Sequence, residues 1–141
     1  GTDTVYPVSG TALEPTDVCY VDLDFFDSTL KVNPGYLYHL MMFFAAELKE
    51  SEKRMRNLAH MPVKGRVSNA LLFLRQKFGT APEGYINILL SRQDLASYTG
   101  TTYENLFRIM NELAEERAIK MDGKNIFILH EGKLLGHTRD E

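Results

Sequence analysis

Residues 101–111 of this 141-residue chain read TTYENLFRIMN. At about 100° per helical residue, Tyr103, Glu104, Phe107, Arg108 and Asn111 share one face. Leu106, Ile109, Met110 and Leu113 share the opposite one. The apolar set has the i, i+3, i+4, i+7 spacing of a core stripe, so the other set is left to meet a partner. The chemistry on offer is recognition rather than bond making. A carboxylate can accept from the exocyclic amine of cytosine, and a guanidinium can fork onto O6 and N7 of guanine. A plainer reading stands beside this one. Glu104 can complete a capping box, and Arg108 can pair with Glu104 or Glu112 one turn away. Tyr103 and Phe107, also one turn apart, either pack on thymine methyls and sugar edges or simply cover apolar surface.

The elements that must position these side chains are legible on both sides. SRQDLASYTG, residues 91–100, reads as a short helix with Ser91 as its cap and Asp94 three residues on. Thr101 stands three residues before Glu104, the same spacing. Gly100 falls in the turn, where a Cβ would meet either a positive φ or a close helix crossing. Two short helices joined so tightly are the layout of a helix-turn-helix. Downstream, Ile119-Lys120-Met121 and Ile126-Phe127-Ile128 flank Asp122-Gly123, a hairpin signal that predicts a wing. The polar tail from residue 132 is expected to fray.

Upstream, a helix is predicted over about 37–60. Leu37, Met41, Phe44, Leu48, Ser51, Met55 and Leu58 step by fours and threes, a heptad seam with Ser51 its single polar member. Such a seam predicts a parallel two-fold homodimer, although Leu40, Met42 and Phe43 widen the stripe enough for packing within one chain. Pro62 breaks the helix. Residues 63–78 follow as another, with Val63, Val67, Ala70, Leu71, Leu74 and Phe78 inward. GTAPEG, 79–84, is a turn cluster, and alternating Ile86, Ile88 and Leu90 suggest a strand. Residues 1–31 carry short β-like pieces, notably Val18-Cys19-Tyr20-Val21, and then a helical turn from Asp22.

The run LSRQDLASYTGTTYENLFRIMNELAEERAI, followed by MDGKNIFIL, resembles the DNA-binding end of the Crp/Fnr family of bacterial transcription regulators. The likeness extends outward in register. NPGYLYHLMMFFAAELKESEKRMRNLAHMPVKGRVSNALLFLRQKFG is similar to the family's dimerisation helix and first DNA-domain helix. SGTALEPTDVCYVDLDFFDSTLKVNP is similar to the last strands and short helix of its effector domain. The resemblance implies an α+β architecture in three parts. These are a β-roll remnant over 1–35, a dimerisation helix over 36–61 and a winged helix-turn-helix over 62–141. It further implies a cytoplasmic, homodimeric regulator reading a pseudo-palindrome in double-stranded DNA, with no catalysis.

By that likeness Glu104 and Arg108 match recognition positions, and with Tyr103 and Phe107 they are the expected base contacts. Tyr103 departs from the arginine usual in the family, and Phe107 from a small or polar residue, so the family's half-site does not transfer. Ser91, Arg92, Gln93, Thr101, Thr102 and Lys124 are expected at phosphates. Loop 79–84 matches a surface some members use on RNA polymerase. Where nucleotide-binding members carry a Thr-Ser pair on the long helix, this chain has Ser51 and Glu52, and the Glu52 carboxylate would repel a phosphate. A winged-helix module that binds protein and not DNA is the rival reading.

Composition narrows the classes. The net charge is −3, yet residues 53–77 hold Lys53, Arg54, Arg56, Lys64, Arg66, Arg75 and Lys77 and no acid. Local charge, not the total, decides DNA contact. The single cysteine, Cys19, excludes an internal disulfide and a four-cysteine cluster within one chain. It is expected as a small buried residue in a strand. His39, His60, His130 and His137 lack metal-ligand spacing. No cofactor is expected. No run is apolar enough to span a membrane.

Overall fold

The computed structural model describes residues 9–12 and 15–138. The chain falls into two compact units, Gly1–Ala46 and Glu47–Glu141.

In the first unit, the Asp22 carboxylate accepts from the N–H groups of Asp24 at 3.0 Å and Phe25 at 3.1 Å, which starts α1 (Leu23–Val32). Asn33 both ends this helix and opens the next. Its N–H donates to the Thr29 carbonyl, and its side-chain oxygen accepts from the Tyr36 N–H at 2.9 Å. Pro34 then takes the first position of α2 (Pro34–His60), where its missing N–H costs nothing. Neither helix buries a residue. Two expectations fail here. Val18-Cys19-Tyr20-Val21 form no strand, because among the described residues nothing lies alongside to complete a ladder. Cys19 is exposed, not buried. The expected β-roll remnant over 1–35 includes residues 1–8, 13 and 14, which lie outside the described set.

The second unit closes a core. It holds the last turns of α2, then α3 (Val63–Phe78), α4 (Arg92–Thr99), α5 (Tyr103–Glu115), the antiparallel pair β1 (Ile119–Asp122) and β2 (Asn125–Ile128), and α6 (Glu131–His137). Val67, Leu71 and Leu74 of α3 meet Leu95 and Ala96 of α4 and Leu106, Ile109, Met110 and Leu113 of α5. Ala118, Ile119, Ile126 and Leu134 close the far side. The predicted stripes of α3 and α5 are the ones buried, save that Val63 and Phe78 are only half-buried.

The wing register pairs Ile119 with Ile128 and Asp122 with Asn125, so Gly123 and Lys124 form the turn. Ile86 and Leu90 are buried as the alternation predicts, but 86–90 is not a strand. Ile86 bridges to Thr80 and donates its N–H to the Ile126 carbonyl at 2.9 Å, and the Asn87 N–H reaches the Gly79 carbonyl at 3.1 Å. The tail is also corrected. Residues 131–137 are helical because Leu134 buries completely against the core. Gly65 of α3 allows the approach, since a Cβ there would stand 2.5 Å from the His137 carbonyl oxygen.

Candidate nucleic-acid interface

Helix α4 starts as expected. The Ser91 Oγ accepts from the Asp94 N–H at 3.0 Å and donates to the Asp94 carboxylate at 2.5 Å. It ends at Gly100, with φ 64° and ψ 45°, a left-handed conformation that glycine adopts without strain. Both reasons for a glycine hold at once. A Cβ would also stand 2.5 Å from Leu58 Cδ2 on the last turns of α2.

The second cap is shifted by one residue. Thr102, not Thr101, caps α5, accepting from the Asn105 N–H at 3.3 Å. Glu104 is therefore not the partner in a Thr101 box. It lies exposed in the first turn, where a negative charge is favoured by the helix dipole. Leu106, Ile109, Met110 and Leu113 are buried, so the sorting of faces holds. Tyr103 and Phe107 are exposed and stack on each other, their ring centroids 6.4 Å apart and planes 13° from parallel. Arg108 is exposed and paired with Glu112 one turn on. One face of α5 thus presents, in order, a tyrosine, a carboxylate, a phenylalanine and a guanidinium.

Among the expected phosphate residues, Gln93, Thr102 and Lys124 are exposed, and Ser91, Arg92 and Thr101 are half-buried. Arg92 does more than offer charge. Its guanidinium donates to the carbonyls of Gly123 at 3.0 Å and Lys124 at 3.4 Å, which ties the start of α4 to the wing turn. Burial lowers its pKa while the nearby Tyr103 opposes the shift. Arg92 therefore fixes the start of α4 against the turn that carries Lys124.

Sequence reasoning missed Arg66. It hid in a basic run, yet it is a structural brace. Its guanidinium donates to the carbonyls of Thr99 at 2.9 Å and Gly100 at 3.0 Å. It also reaches those of Met61 at 3.2 Å and Leu58 at 3.3 Å. These are the C-terminal carbonyls of α4 and α2, the orphan acceptors every helix leaves. A second missed cluster joins Lys64 to Glu112 at 3.3 Å and to Glu116 at 2.6 Å, with His137 on Glu116 at 2.9 Å. The hydrogen bond from Lys64, then that from His137, holds the Glu116 carboxyl below its ordinary pKa. Glu116 in turn raises that of Lys64. No group of three or more metal-ligating side chains forms among the described residues.

Along α2, the seam residues Leu37, Met41 and Phe44 of the first unit are exposed, as are Leu48, Met55 and Leu58 of the second. Ser51 is exposed as well. Among the described residues no helix is long and apolar enough to cross a membrane.

Two capped helices at a tight turn, a third helix beneath them and a two-stranded hairpin clamped alongside define a winged helix-turn-helix. Residues 65–136 match the Crp-like helix-turn-helix domain. The chain belongs to the Crp/Fnr family. It is 30 % identical over 120 residues to the cAMP-activated global transcriptional regulator CRP of Salmonella typhimurium, covering 84 % of this chain and 55 % of that one. It is 27 % identical over 133 residues to the transcriptional activator protein anr of Pseudomonas aeruginosa, covering 92 % of this chain and 54 % of that one. The chain thus spans about half the length of the curated relatives it matches.

Among solved structures, a Crp/Fnr-family transcriptional regulator of Thermus thermophilus superposes with a TM-score of 0.68. It shows 26 % identity and covers 74 % of this chain and 55 % of that chain. FixK2 of Bradyrhizobium japonicum shares the fold at a TM-score of 0.77 and 21 % identity, covering 86 % of this chain and 61 % of that chain.

Proposed function

We propose that the chain is the DNA-reading part of a cytoplasmic transcription regulator that acts as a homodimer on a pseudo-palindrome. The observation that carries this reading is the sorting of α5. Its apolar stripe is spent on the core, while Tyr103, Glu104, Phe107 and Arg108 face outward from a capped, glycine-turned helix. Glu104 accepts from cytosine, Arg108 forks onto guanine, and the Tyr103–Phe107 stack packs on thymine methyls. Ser91, Arg92, Gln93, Thr101, Thr102 and Lys124 hold the phosphates on either side. The exposed heptad seam of α2 supports pairing with a second copy, which sets two recognition helices about one turn of DNA apart. Loop 79–84 offers RNA polymerase a surface, by the family's precedent.

Selection of binding sites from random duplexes tests the whole reading. The expected result is a two-fold-symmetric site with cytosine and guanine in each half. On that site Arg108→Ala costs roughly 1–3 kcal/mol and relaxes one base pair, whereas Lys124→Ala weakens all sequences alike. Equal losses on selected and random duplex for Arg108→Ala remove that residue from base reading.

A protein-binding winged helix is the second reading, favoured by the exposed Tyr103–Phe107 stack and the net charge of −3. A salt series separates the two. A DNA reader loses affinity steeply as added salt weakens the drive from counterion release, and failure to bind any duplex at low salt leaves the protein-binding reading standing.

A further inference from the structure

Arg108 does not project freely. Its Nη1 pairs with Glu112 Oε1 one turn along α5, and Glu112 Oε2 takes the Lys64 ammonium of α3 at 3.3 Å. Lys64 also pairs with Glu116 Oε1 at 2.6 Å, and Glu116 Oε2 meets His137 Nε2 of α6 at 2.9 Å. The backbone carbonyl of Glu116 accepts from Lys133 as well, at 2.5 Å. An alternating chain of charge, Arg108–Glu112–Lys64–Glu116, therefore runs from the recognition face into the body of the domain and ends on the His137 ring. Its outer end is the more open to solvent, with the Arg108 side chain 60 % exposed and that of Lys64 only 24 %.

We propose that Glu112 is a positioning residue for base reading, anchored by Lys64 and holding the Arg108 guanidinium in its reading pose. The proposal rests on the base-reading role given to Arg108 above. A long arginine side chain loses rotamer freedom when it docks, and a protein that has already fixed it forfeits less affinity at that step. The ion pair takes one terminal nitrogen and leaves the edge formed by Nε–H and Nη2–H open, a two-donor fork that fits guanine O6 and N7. Glu112 is suited to this because its second oxygen is pinned from α3, so the carboxylate cannot swing with the arginine. An isolated surface pair of this kind contributes little to stability. Its value lies in where it leaves the guanidinium.

The test uses the intact protein and the selected duplex, with a companion duplex altered only at the base pair read by Arg108. Binding is followed by fluorescence anisotropy for the parent, Glu112→Gln, Glu112→Ala, Arg108→Ala and the double variant, after thermal melts show that each folds. Glu112→Ala is expected to cut discrimination at that one base pair on the order of tenfold, part of what one bidentate contact supplies. Discrimination elsewhere stays, and binding to random duplex is unchanged or tighter, since a negative charge has gone. Glu112→Gln keeps an acceptor for Arg108 and rescues part of the loss. The double variant behaves as Arg108→Ala alone, because Glu112 acts only through that arginine. Equal change on both duplexes, or losses that add in the double variant, overturns the proposal while leaving Arg108 as a base reader. If Arg108→Ala discriminates no base pair, the underlying reading falls first and this proposal with it.

Discussion

The second unit encloses apolar side chains from α3, α4, α5, the hairpin and α6; the first, in its described residues, encloses none. Val67, Leu71, Leu95, Leu106, Leu113 and Leu134 are fully buried in the winged unit. In the first unit Phe25, Leu37, Met41 and Phe44 are all more than 40 % exposed. Both are rich in apolar residues, so composition does not separate them. What differs is whether the apolar stripes find each other. In the winged unit helices and a hairpin converge on one core. In the first, two successive helices touch, with Phe26 edge-on to Tyr36, but no described residue of either is fully covered. A helix that is apolar along a seam and exposed along it is built for another surface. One unit therefore closes a core of its own, and the other, among its described residues, leaves its stripes open to the second copy proposed above.

That contrast is most sharply tested at Leu106, which is fully buried on α5. Leu106→Ala removes core volume and should cost about 2–5 kcal/mol of unfolding free energy. Urea denaturation followed by far-UV circular dichroism reads it. DNA binding should survive at temperatures below the lowered midpoint, because the altered side chain points away from the recognition face. A loss under about 1 kcal/mol, closer to the scale of surface substitutions, would mean that the winged unit is less well closed than its burial implies.

Phe44 tests the other side. It lies on the α2 seam, 60 % exposed. In the proposed dimer each copy of Phe44→Ala forgoes part of the about 1.5–3 kcal/mol that full burial of such a side chain supplies. Sedimentation across a concentration series should show a dissociation constant raised about tenfold or more. The melting of the winged unit, measured where both proteins are monomeric, should not move. A Phe44→Ala protein that associates as tightly as its parent would show that the seam is covered in some other way.

How much of this was legible depends on the range of the interaction. The faces of α5, the stripe of α3, the Ser91 cap and the Gly100 turn are set within one or two turns of chain, and the spacing of residues carried them. The second cap slipped from Thr101 to Thr102 because adjacent threonines offer the same hydroxyl. Helix α6 was invisible since EGKLLGH holds two glycines and a single fully buried anchor, Leu134, whose pocket is made by distant residues. Val18–Val21 misled for the opposite reason, as alternation alone cannot supply a neighbouring strand. Arg66 and Lys64 looked like members of a basic run. Only the fold shows that one braces four carbonyls and the other joins two carboxylates.

The Lys64–Glu116–His137 cluster belongs to the self-sufficient unit and gives it a pH signature. Glu116 has its pKa depressed, first by Lys64 and then by His137. Its contribution is thus present above the ordinary carboxylate pKa and is lost as pH falls through the lowered folded value. Lys64 is shifted upward, chiefly by Glu116, so its contribution holds below the ordinary lysine value and is lost as pH rises through the raised one. Urea midpoints should therefore decline at both extremes, and Glu116→Gln should flatten part of each limb. Identical acid limbs for the two proteins would show that Glu116 carries none of the acid sensitivity.

The smallest expected effect is a gain, and it too should be confined to the winged unit. Arg117 is the one non-glycine residue with positive φ among the described residues, at 56°. It closes α5 in a turn where its N–H donates to the Ala114 carbonyl and the Ala118 N–H reaches back to Leu113, each at 2.9 Å. An L side chain in this conformation costs about 1–2 kcal/mol, while glycine loses about 0.5–1 kcal/mol in backbone entropy. Arg117→Gly should therefore stabilise by roughly 0.5 kcal/mol, visible as a small rise in the urea midpoint. The self-association proposed for α2 should not change, because the strain relieved lies within the unit that closes its own core. A loss of stability instead would mean that the Arg117 side chain makes a favourable contact outweighing its backbone strain.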